Sequence, residues 1–108
     1  MELTEAHIAR LRALLAQEVA PISFPLFPGY IGVQKYGCAA LLRPVGADRF
    51  EKAAPPSLLI EGNLSVLVER GGGKWFVWKS HQVAATAERL GALRRFEEEL
   101  ERWLAPPV

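Results

Sequence analysis

The chain has one cysteine, Cys38, so no disulfide can close within it and a disulfide scaffold is excluded. Its only histidines are His7 and His81, with no H-x-x-x-H or C-x-x-C spacing, so no metal site and no cofactor is expected. No apolar run nears the ~18 residues of a membrane span, and no membrane partner is expected. An excess of charge of one sign is missing too. The net is +1, where a general nucleic-acid binder carries a concentrated basic surface. The opening Met1-Glu2-Leu3-Thr4-Glu5 lacks the basic and apolar regions of a secretory leader, which makes a cytoplasmic setting the expectation. Asparagine and methionine occur once each, and arginine outnumbers lysine nine to four beside eight prolines. That is a thermophile tendency, although a GC-rich genome gives much the same bias.

What is present is half hydrophobic residues in a chain of 108, enough for one domain spanning 1–108 and too apolar for disorder. Thr4 is a good N-cap for a first helix over 5–19, with Ile8, Leu11, Leu15 and Val19 as its apolar stripe and Leu14 beside it. His7, in the first turn, is expected to face solvent. The connector 20–29 carries Pro21, Pro25 and Pro28, with Phe24, Leu26 and Phe27 tucked against the core. Strands are expected at 30–36, 38–43, 57–61, 64–70 and 74–79. Residues 80–85 could extend the sheet edge. A long loop, 44–56, separates the second strand from the third, with a helical turn possible over 47–54. Gly62-Asn63 and Gly71-Gly72-Gly73 read as hairpin turns. Thr86 caps a last helix, 87–104, whose stripe is Leu90, Leu93, Phe96, Leu100, Trp103 and Leu104. Gly91 inside it suggests a close approach to the sheet. The fold class is therefore α+β: a two-layer sandwich with an antiparallel meander of about five strands and both helices on one face.

Chemistry is sparse. Arg70-Gly71-Gly72-Gly73-Lys74 is followed by Trp75 and opens a strand, so it lacks the context of a phosphate loop. Cys38 and His81 are the candidates for a thiolate and its base, but Cys38 adjoins Ala39 and Ala40, where a small buried cysteine is ordinary. Glu97, Glu98, Glu99 and Glu101 have Arg94, Arg95 and Arg102 at helical spacing, which suits a solvated face.

One feature exceeds the ordinary. The sheet face away from the helices should be polar in a two-layer monomer. The alternation puts Tyr30, Gln34, Tyr36, Leu67, Trp75, Val77 and Lys79 there, an aromatic patch of the kind that marks a partner. The leading expectation is a non-enzymatic interaction module, a homodimer through that face or an edge strand, or a binder of another protein. A second is single-stranded nucleic acid, with Tyr30, Tyr36 and Trp75 stacking bases and Lys35, Arg43, Lys74 and Lys79 meeting phosphates. A third is a small enzyme using Cys38 and His81. Two helices around a meander occur in many unrelated domains, so the fold alone names no function.

Overall fold

Three dipeptides ending in glycine set the strand registers. Tyr36-Gly37, Glu61-Gly62 and Gly71-Gly72 place both residues at positive φ, the mirror-image turn that fits a two-residue hairpin. They join Lys35 to Cys38, Ile60 to Asn63 and Arg70 to Gly73. The second loop is Glu61-Gly62 rather than Gly62-Asn63. Glycine takes the second turn position, and the Asn63 side chain donates back to the Glu61 carbonyl at 2.9 Å.

The computed structural model describes residues 3–105. The chain runs α1 (Glu5–Leu15), β1 (Ala20–Ile22), β2 (Ile31–Lys35), β3 (Cys38–Val45), β4 (Arg49–Lys52), β5 (Ser57–Ile60), β6 (Asn63–Leu64), β7 (Val66–Arg70), β8 (Gly73–Trp78), β9 (His81–Ala84) and α2 (Ala87–Leu104). The fold is α+β, with antiparallel strands and a helix at each end. The strands form two sheets. One has the order β1-β2-β3-β5-β6 with β4 also on β3; the other is β7-β8-β9.

β3 is the centre of the first sheet. β2 lies along one edge, while β4 and β5 share the other end to end, pairing Leu42–Val45 and Cys38–Ala39 respectively. The expected loop 44–56 thus contains the end of β3 and all of β4, and no helical turn forms over 47–54. Phe50 decides it: the alternation Arg49, Phe50, Glu51 buries the ring and leaves Glu51 to pair with Arg43 across the hairpin.

Both faces of β3 are covered. Cys38, Ala40 and Leu42 pack with Leu14 of α1 and Leu93, Phe96 and Leu100 of α2. Ala39 and Leu41 pack with Phe24, Ile22, Leu59 and Leu64. The proline-rich connector therefore covers the face the helices leave, through Ile22 and Phe24, and Phe24 is the only one of the three residues expected to tuck in that does so. Leu26 is 70% exposed and Phe27 is exposed as well, which corrects the expectation for both. Gly32 makes room for the connector: a Cβ there would meet the Ile22 carbonyl oxygen and stand 2.8 Å from Phe24 Cε2.

The helices differ in how well the sequence reads. α2 follows its predicted span, cap and stripe, with Thr86 accepting from the Arg89 amide at 3.2 Å. α1 stops at Leu15 and turns a different face inward. His7 is 1% exposed, and Leu14 is buried, while Ile8 and Leu15 are exposed. The cap is the cause. Thr4 Oγ1 accepts from the His7 amide, and His7 Nδ1 accepts from the Thr4 amide, both at 3.1 Å. Nε2 then carries the proton and faces the Val45 carbonyl at 3.4 Å. The ring meets Phe50 edge-on at 5.1 Å, and Phe50 stacks on Trp103 at 5.6 Å. This ladder of rings ties α1, β4 and α2 together.

Candidate binding surface

Residues opposed across an antiparallel pair share a face. In the second sheet, Leu67 pairs with Phe76, and Phe76 with Val83. That face is turned inward: Phe76 is fully buried, and Trp78, Val83 and Ala85 pack beside the core. The other face is set by Val66 opposite Val77, Val68 opposite Trp75, and Trp75 opposite Ala84. None of Val66, Val68, Trp75 or Val77 belongs to a buried core cluster, and Val66 is 63% exposed. Val68, Trp75 and Val77 are half-buried, so this face is apolar and only partly covered.

The residues expected on one patch are dispersed. Trp75 and Val77 lie together on the open face. Leu67 lies on the opposite face of the same sheet. The reason is the turn: a two-residue loop at Gly71-Gly72 leaves Gly73 inside β8, so Leu67 meets Phe76 and not Trp75 or Val77. Lys79 sits in the β8–β9 turn at φ +53, its ammonium 4.7 Å over the Trp78 ring. Tyr30 borders a cleft with Pro21, Ile22 and Gly32 at the far edge of the first sheet. Gln34 donates to the Pro21 carbonyl at 3.3 Å. Tyr36 is turned toward α2, with the Arg95 guanidinium 4.8 Å above its ring. Val66 and Val68 were not among the residues expected on the open face. A strict two-residue count at Gly71-Gly72 was the signal that would have moved them to the open face.

The acidic side of α2 pairs with the sheet rather than with its own arginines. Lys35 donates to Glu99 Oε1 at 3.0 Å and to the Gln17 carbonyl at 3.0 Å, and Lys52 pairs with Glu101. The Tyr36 hydroxyl and then the Lys35 ammonium hold Glu99 below its ordinary 4.5, and Glu99 in turn raises Lys35 above 10.5. Glu99 Oε2 is buried with no donor at hydrogen-bond distance, so the pair rests on Oε1. Of the cations expected to meet phosphates, Lys35 and Arg43 each pair with a carboxylate, and Lys74 lies 3.9 Å from Glu69.

Cys38 is fully buried in the first sheet, and burial pushes its thiol up to about 11, so the thiolate is scarce at neutral pH. His81 lies in the second sheet, stacked on Trp78 at 5.9 Å and 3.5 Å from Glu61. No described helix is long and apolar enough to cross a membrane. Compared with protein-family models, with curated proteins and with solved structures, the chain matches none.

Proposed function

We propose that the chain is a non-enzymatic interaction module that associates with a second copy through the open face of β7, β8 and β9. One observation carries this reading: Val66, Val68, Trp75 and Val77 form an apolar stripe on a sheet face that lies outside both buried core clusters. A two-fold pairing of such faces is the economical way to cover it. Three strands of four to six residues span roughly 300 Å² in plan. That is well under the ~800 Å² per partner of a standard interface, so the dimer is weak, with dissociation in the high-micromolar range. A cytoplasmic setting suits the single unpaired thiol of Cys38.

The test is sedimentation equilibrium of the chain from about 5 µM to about 1 mM. The mean mass should climb toward the dimer, and Val77→Glu should hold it at the monomer while circular dichroism stays unchanged. A monomer throughout, or a dimer indifferent to Val77→Glu, overturns the reading.

A further inference from the structure

The β5–β6 ladder ends abruptly. Leu59 pairs with Leu64 and Ile60 with Asn63, and the Ser65 amide still donates to the Leu58 carbonyl at 3.1 Å. One step further, the same register would set Ser57 against Val66 and Pro56 against Leu67. It does not continue. Pro55 and Pro56 have no N–H to give, so the ladder cannot run on past Ser57. The two strands splay and leave a groove of about 490 Å³.

Its walls are Phe27, Pro55, Pro56, Leu64, Val66 and Leu67. Val66 and Leu67 are consecutive residues of one strand, so their side chains point to opposite faces. A single groove that touches both runs along the edge of β7. The other edge belongs to β8, so this is the free edge, with its N–H and C=O groups unpaired. The contrast with β1 is plain. That edge strand carries Pro21, whereas Val66-Leu67-Val68 has no proline or charge to block pairing.

Glu97 of α2 is the one charged residue lining the groove, and among the described residues no cation lies within salt-bridge distance of it. We infer that the groove takes an extended polypeptide segment as an added strand on β7, apolar along the edge and carrying one lysine or arginine for Glu97. Main-chain bonds to β7 give the affinity and the carboxylate gives the preference. Another copy of β7 is the wrong occupant. Paired symmetrically about Val68, it sets its Glu69 opposite Leu67, on the groove that Glu97 already makes acidic. The inference shares the class of protein with the proposed function and meets its surface at Val66, but it uses the edge of β7 rather than the sheet face, so either can fail alone.

The experiment titrates the full-length chain, in a Val77→Ser background that weakens the open-face contact without adding charge beside Val66, with a fluorescein-labelled acetyl-Thr-Val-Arg-Val-Thr-Val-amide. Saturable binding is expected in the range of tens to hundreds of micromolar, with amide shifts concentrated at residues 65–69. Replacing the probe's arginine by glutamate should weaken binding about tenfold, and Glu97→Lys should reverse that preference. A probe N-methylated at alternate residues should not bind. No saturation up to about 1 mM, an N-methylated probe that binds as well, or equal affinity for the arginine and glutamate probes overturns the inference. Dimerisation that fails while the probe binds removes the open-face proposal and leaves this one standing.

Discussion

The first sheet is covered on both faces, and the second on only one. In the first, helices lie over Cys38, Ala40 and Leu42, and the connector lies over Ala39 and Leu41. In the second, Phe76 is buried on one side and Val66 is exposed on the other. Burial on two sides gives a strand its stability, while burial on one leaves apolar area for recognition. The sharpest way to break this comparison is to truncate matched positions. Leu41→Ala should cost about 2–5 kcal/mol, because it opens a cavity at a site enclosed on every side. Val77→Ala, on the half-covered face, should cost under about 1 kcal/mol in the monomer. Urea unfolding measures both, and similar losses would mean the second sheet is as closed as the first.

A second test asks whether the connector is a structural layer or a loose cover. Gly32 is paired with Ile22 of β1 and lies under Phe24, with backbone among the atoms a Cβ would strike. Backbone cannot step aside as a flexible side chain can. Gly32→Ala should therefore destabilise by about 1–3 kcal/mol or more and loosen Phe24. Thermal unfolding gives the loss. A neutral substitution would make the connector a passive strap, and the first sheet one-sided like the second.

Much of this contrast was legible in the sequence, and the failures are instructive. The α2 stripe and its Thr86 cap were readable because a long, strongly amphipathic segment overdetermines its own face. The first helix was misread because its buried side holds His7, a polar residue whose burial depends on two partners in the cap and one at Val45, far away in sequence. No periodicity of apolar residues reports that. Strand 49–52 was missed because a single buried ring, Phe50, lies between charged neighbours that pair across the sheet. Trp75 and Val77 share one face of the second sheet, and Leu67 was assigned to the wrong side by one residue of turn length. The groove at β7 was out of reach, since it depends on where the β5–β6 ladder ends and the strands part.

Gly91 offers a smaller test on the well-covered side. Its place in α2 suggested close packing, yet an added Cβ would meet nothing within 4 Å. Glycine is there at a helix-propensity cost with no contact in return. Gly91→Ala should raise stability by about 0.8–1 kcal/mol, read as a higher urea midpoint with an unchanged slope. A loss instead would place an unseen surface against α2.

The smallest expected effect concerns the polar seam between the sheet and α2. Glu99 is held below its ordinary 4.5 by the Tyr36 hydroxyl and Lys35. A depressed carboxyl stabilises the fold above its unfolded pKa, and that contribution fades as pH falls through the folded value. Lys35 is raised above 10.5, chiefly by Glu99. A raised amine stabilises below its unfolded pKa and loses the contribution as pH climbs through the folded value. The pair is thus fully effective from about pH 4.5 to about pH 10.5. Comparing wild type with Glu99→Gln, the gap in urea midpoint should be flat across that window and close under acid. It should be modest, because the Glu99 side chain is about a third exposed to screening solvent. A gap that persisted under acid would mean that Glu99 acts through packing, and that the helix layer over the first sheet holds without charge.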